Sequence, residues 1–195
     1  MTLLLIGLFL FLGIHSVRIF ANDWRNKVIT TRGGNAFKGL YSILSAAGLV
    51  LIILGYSLTR ADPVYIWHPP AAMMHIAALL TLIAFVLLAA AYVPGNRIKS
   101  RVGHPMVVGV KVWAFAHLLA NGRLGDVLLF GSFFIWAILL YNISRRRDRS
   151  ENVEYAAAVA GVSRDAMTVV LGVGAWLVFS LMLHLRLIGV HPFGG

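Results

Sequence analysis

Apolar runs near the length of a membrane crossing alternate along this chain with short links that carry most of its charge. The runs cover residues 3–20, 40–58, 71–93, 105–120, 127–143 and 167–188, and the fourth is the shortest. A helix needs ~20 apolar residues to cross ~30 Å of hydrocarbon. The pattern therefore predicts an all-α, six-transmembrane-helix bundle in a single domain over residues 1–195. Local chemistry punctuates the runs. Pro94-Gly95-Asn96 stops the third. The fourth opens on His104-Pro105, where proline at the first helical position gives up no needed hydrogen bond. It closes on Asn121-Gly122, residues able to leave a helix through left-handed backbone, and Asp126 then sets a negative charge at the positive end of the next helix. In the second run Ser42, Ser45, Gly48 and Gly55 recur near helical spacing, which predicts a face for close packing against a neighbour.

Composition supports the membrane reading: 59% of the residues are hydrophobic and only 12% charged, against about 25% charged in ordinary soluble domains. The first run has no basic residues before it and no small-residue cleavage site after it, so it is expected to be retained as a span. The net charge of +10 would suit a nucleic-acid partner, but the cations cluster in the links. Of the seventeen Lys and Arg, twelve lie in the first, third and fifth links, and only Arg60, Arg123 and Arg186 mark the other side. The positive-inside bias then places the basic links in the cytoplasm and both termini outside, with the bilayer as partner and no nucleic acid. The run from Arg145 to Arg149 reads as an orientation and anionic-lipid signal.

Candidate chemistry rests on seven histidines and no cysteine. Without thiols there is no disulfide, no covalently attached haem and no thiolate ligand, so any metal is held by histidine or oxygen. By helical rise, His75, His117 and His184 lie about one turn inside the outer boundary of their spans. His15, Arg18 and Lys111 lie nearer the cytoplasmic boundary, with His104 and Arg97 at that surface. Ionisable residues within spans point to function by default, and histidines on facing helices of a bundle are a usual way to hold haem. Other roles compete: His68 and His191 precede prolines in loops, Lys111 has the length to snorkel to the surface, and Trp113, Trp136 and Trp176 suit packing.

Several stretches resemble the NnrU family: Gly13-Ile14-His15-Ser16, Phe37-Lys38-Gly39-Leu40-Tyr41-Ser42, Ala91-Tyr92-Val93-Pro94-Gly95-Asn96-Arg97, Gly103-His104-Pro105-Met106, and Ala116-His117 through Gly122. The likeness runs along nearly the whole chain. It implies a bacterial inner-membrane protein associated with nitrite and nitric oxide metabolism in denitrifiers, and a membrane redox complex such as a nitric oxide reductase as partner. The family includes plant ζ-carotene isomerase, which uses haem b. The histidines that hold its iron match His15 and His117 here, so the resemblance implies haem b on that pair, with His75 and His184 as alternates by depth. Arg18, Lys111, His104 or Arg97 would face the haem propionates. Where the isomerase carries a ligand-switching cysteine this chain has Ala114, a departure that counts against carotene isomerisation and a thiolate switch, while an isomerase-type enzyme using the His104-Pro105 helix stays an alternative. His15 falls towards the inner leaflet and His117 towards the outer, so one iron between them requires tilted spans or an inclined haem.

A weaker resemblance links His104-Pro105 and Gly109 to membrane methyltransferases of the isoprenylcysteine type. Those use an aromatic after the proline and paired glutamates later, where this chain has Val107, Val108 and Asp148. A membrane scaffold without cofactor, helping such a complex assemble, is the third alternative.

Overall fold

Helix follows every apolar run, but its breaks fall where local backbone chemistry sets them. The structure, a computed structural model, describes residues 1–153, 155 and 162–193. In chain order these form α1 (Thr2–His15), α2 (Val17–Phe20), α3 (Asn22–Arg32), α4 (Gly34–Ala61), α5 (Ala72–Tyr92), α6 (Arg97–Val102), α7 (Pro105–Ala120), α8 (Leu124–Ser150), α9 (Val162–Val178), a π-helical turn (Phe179–Leu183) and α10 (His184–Ile188). Among the described residues the extended backbone pairs only at one bridge, Tyr65 to Arg123, so the chain is all-helical. Part of the polar link before the last run, at 154 and 156–161, lies outside the described residues.

Four helices are long and apolar enough to cross a membrane: α4 with 28 residues, α5 with 21, α8 with 27 and the continuous rod Val162–Ile188 with 27. The first run comes out shorter than the pattern predicts, while the fourth keeps its predicted bounds of 105–120. With 14 and 16 residues, α1 and α7 extend about 21 and 24 Å at ~1.5 Å per residue. The first run breaks because the Ser16 amide turns back to the Gly13 carbonyl at 3.0 Å, and Ala21 (φ −137°) then redirects the chain into α3. The first link, read as a loop, is itself helical. No glycine or proline interrupts residues 22–32, and Asp23 and Arg32 stand at the ends where the helix dipole favours their charges. For the same reason α8 continues through the arginine run instead of stopping at Ile143.

Helix α1 lies along α4, α5 along α7 and α9, and α8 packs on α7, α1 and α4. The small-residue face of α4 does what its spacing implies. A Cβ on Gly48 would fall 2.8 Å from the Phe11 amide nitrogen, and one on Gly55 would collide with the Leu4 backbone. These close approaches let Leu4, Leu8, Ile52, Ala114, Leu129 and Phe130 form one core across α1, α4, α7 and α8.

A polar clasp ties the α7–α8 turn to the loop after α4. The amide of Ile66 donates to the Gly122 carbonyl at 2.8 Å, and that of Leu124 to the Val64 carbonyl at 2.8 Å. Beneath it Asp126, 1% exposed, caps α8 by accepting from the Arg123 amide at 3.2 Å. It also accepts from the Tyr56 hydroxyl at 2.6 Å and from Arg123 Nε at 2.9 Å.

Candidate functional site

Two cavities lie at opposite ends of the bundle, and the chemistry-bearing residues divide between them. At the end where the arginines gather, α1, α2, α3, α4, α7 and α8 line a half-open chamber of about 860 Å³. His15 stands in its wall, placed by the last turn of α1. Its Nδ1 lies 2.7 Å from the Phe11 carbonyl. A carbonyl only accepts, so Nδ1 carries the proton and Nε2 keeps its lone pair. The imidazole stacks on Phe11 at 4.2 Å, with Tyr41 at 5.1 Å and the edge of Trp136 at 6.2 Å. Trp136 also presents a buried indole N–H that finds no acceptor among the described residues, and an unpaired buried donor carries a desolvation cost of ~1–3 kcal/mol.

Cations and hydrocarbon share the lining. Arg18, Arg25, Lys38 and Arg147 supply charge, while Val107, Val110 and Leu140 supply apolar wall. His104 lines the chamber too, and a second set of bonds fixes it. Its Nε2 lies 2.8 Å from Asp148 Oδ2. The Tyr155 hydroxyl donates to the same oxygen at 2.5 Å and sits 3.1 Å from His104 Nε2. Burial, then the hydrogen bond to Asp148, raises the Tyr155 phenol above its ordinary value, so it stays a donor. Gly103 (φ +78°) makes room: a Cβ there would fall 2.8 Å from Arg145 and 3.0 Å from the Tyr155 ring.

At the other end a cavity of about 270 Å³ is lined by His117, His184, Asn121 and Trp176. His117 Nδ1 donates to the Trp113 carbonyl at 2.9 Å, and His184 Nδ1 to the Val190 carbonyl at 2.7 Å. The π-helical turn Phe179–Leu183 places His184 there.

The structure brings His117 and His184 to one cavity and His15, Arg18 and His104 to the other. It does not bring His15 and His117 together. A column of rings lies between them: Phe11 to Phe133 at 5.8 Å, Phe133 to Trp113 at 5.7 Å, and Trp113 to His117 at 5.2 Å. Along α8, His117 stacks on Phe130 and His15 meets Trp136, six positions or about 9 Å of helix apart. Neither of these two cavities is lined by both imidazoles, and aromatic rings pack between them. Three other candidates lie apart from both cavities. Arg97 is engaged by Asp165, which accepts from its amide at 2.7 Å and faces its Nε at 3.6 Å. The Lys111 ammonium sits 5.2 Å from the Tyr141 ring centroid, and His75 is exposed on α5. Among the described residues no three His, Asp or Glu side chains converge as a metal site.

Several lining residues are read from the sequence alone in other roles or not at all, Trp136 as packing and Arg147 as part of a lipid signal. Trp136, Leu140, Ser144 and Arg147 recur at intervals of four, four and three, one face of a continuous α8. That face is visible only once the helix is carried past Ile143.

The family model described as NnrU protein matches residues 3–192, nearly the entire chain. The chain belongs to the NnrU family. No curated protein and no solved structure matches it. Of the residues that carry the NnrU likeness, His15, Phe37, Lys38, Tyr41, Ser42, His104 and Met106 line the basic chamber, His117 and Asn121 line the other cavity, and the stretch 91–97 lines neither.

Proposed function

We propose that the chain is a multi-pass protein of the bacterial inner membrane whose basic chamber would hold haem b, with His15 as the residue that would ligate it. Helices α1 and α7 complete a six-span bundle with the arginine end facing the cytoplasm, and the role is redox, sensing or accessory work in nitrite and nitric oxide metabolism. One observation carries the reading. An imidazole whose Nδ1–H is committed to a carbonyl presents its Nε2 lone pair to an amphiphilic chamber with a cationic rim. A backbone acceptor on the other ring nitrogen is the usual support of a ligating histidine, and about 860 Å³ falls within the range of about 300–1,000 Å³ for cofactor sites.

Each part of the chamber has a task. Phe11 and Tyr41 hold the imidazole plane. Arg18, Arg25, Lys38 and Arg147 would pair with the propionate carboxylates. Val107, Val110 and Leu140 exclude water. Haem, when bound, supplies one-electron and small-ligand chemistry at its iron, tuned by the axial ligand and the polarity around it.

The test is the visible spectrum of protein purified from cells supplied with haem precursor. The wild type is expected to show a Soret band. His15→Ala should lower haem affinity at least about tenfold, whereas His117→Ala, across the ring column, should leave the band in place. A colourless wild type, or a band lost equally in both variants, overturns the assignment.

A further inference from the structure

We propose that His104, Asp148 and Tyr155 form a proton-transfer site serving the basic chamber, which makes capture of an amphiphilic anion there proton-coupled. The inference rests on the chamber being an anion site and not on haem being the anion.

The geometry comes first. Asp148 and Tyr155 fix one side of the imidazole, through the 2.8 Å pair at Nε2 and the 2.5 Å bond beneath it. Tyr155 is a donor to Asp148, so the carboxylate oxygen is the acceptor shared by the phenol and the imidazole Nε2–H. Nδ1 is then the basic nitrogen, with no partner among the described residues, on a side chain that lines the chamber. The Tyr141 ring meets the imidazole edge-on at 6.4 Å, and Arg145 lies 3.7 Å from Asp148. Carboxylate, imidazole and chamber thus stand in series, the arrangement that lets an aspartate hold a histidine in one tautomer and stabilise the imidazolium when it forms.

Electrostatics gives the direction. Arg18, Arg25, Lys38 and Arg147 face the chamber from α2, α3, α4 and α8, together with His15 and Tyr41. Without an anion these cations disfavour a further positive charge on His104. Among the described residues the acidic groups acting on this cluster are Asp148, paired with His104, and Glu151, which acts on Arg18. An anion entering the chamber neutralises part of that field and favours the imidazolium. A proton then moves from solvent to Nδ1, forming one N–H bond, and this N–H donates to the bound oxyanion. When the ligand is a weak acid the same proton can pass on, the N–H bond breaking as the ligand O–H bond forms. Lower pH tightens anion capture by the same linkage.

The test uses hexyl sulfate, a permanent monoanion with a short apolar tail, so any proton taken up on binding resides on the protein. Full-length protein in lipid nanodiscs carries His15→Ala, which removes the other chamber imidazole and the proposed haem ligand while keeping every cation. Calorimetric titration near neutral pH, in two buffers of different ionisation enthalpy, gives the protons absorbed per anion bound. Uptake of about 0.5–1 proton is expected, falling to near zero when His104→Gln is added, while hexyl sulfate still binds. Asp148→Asn should reduce the uptake and leave the cations in place. Absence of hexyl sulfate binding, binding without proton uptake, or unchanged uptake after His104→Gln overturns the proposal. A colourless wild type, which would sink the haem assignment, leaves this measurement intact.

Discussion

Asp126→Ala is expected to destabilise the folded protein by about 3–5 kcal/mol, the range for removing one partner of a buried charge pair. The carboxylate is 1% exposed and serves three donors. It caps α8 through the Arg123 amide, pairs with the Arg123 guanidinium, and accepts the Tyr56 hydroxyl from α4. Alanine leaves the buried phenol without its acceptor, frees an orphan amide at the start of α8, and strands a cation that is only 21% exposed. Asp126→Asn keeps an acceptor for Tyr56 but loses the ion pair, so it should cost less. Tyr56→Phe removes a single bond and should cost the least, about 1–2 kcal/mol. Unfolding in mixed micelles of rising sodium dodecyl sulfate fraction, followed by tryptophan fluorescence, gives the order Ala, Asn, Phe in falling severity. A loss under about 1 kcal/mol for Asp126→Ala would show that the clasp does not hold the two loops together.

Gly55→Leu should be at least as damaging, through shape alone. Even a Cβ at this position collides with the Leu4 backbone, which cannot move aside as a flexible side chain would. Gly55→Ala forces α1 and α4 apart, at about 1–3 kcal/mol for overpacking, and leucine widens the gap further. Because α1 carries His15 and α4 carries Tyr41, the separation also opens the chamber wall, so ligand capture should fall with stability. Gly131→Ala is the internal control. Nothing lies within 4 Å of its Cβ position, so it should be neutral or slightly stabilising, in keeping with the helix preference of alanine. The same unfolding series separates the three variants, and equal stability of Gly55→Leu and Gly131→Ala would contradict the close approach of α1 to α4.

Several features of this protein were legible in its residues because they follow from short-range or one-dimensional rules. The apolar runs mark helices, since a backbone in hydrocarbon must satisfy its own hydrogen bonds. Gly48 and Gly55 mark a close-packed face because only small residues let helices approach so near. Pro105, Asn121-Gly122 and Asp126 mark one helix start, one turn and one cap through local bonding. The NnrU likeness lies in local motifs of the same kind. Less legible were α3 and the far end of α8, where solubility argued for loops while helix-forming residues and favourable terminal charges decided otherwise.

Helical rise already separated His117 and His184 in depth from His15 and His104; what the chain order could not supply was which side chains surround each of them. His15 and His117 lie on helices that both pack against α8, yet the aromatic rings of Phe11, Phe133 and Trp113 stand between them. His104 meets Asp148 and Tyr155 from 44 and 51 residues away. Side chains so distant in sequence meet according to helix rotation and relative depth. Those depend on the shapes of every neighbour packed between them, and so on the tertiary structure alone.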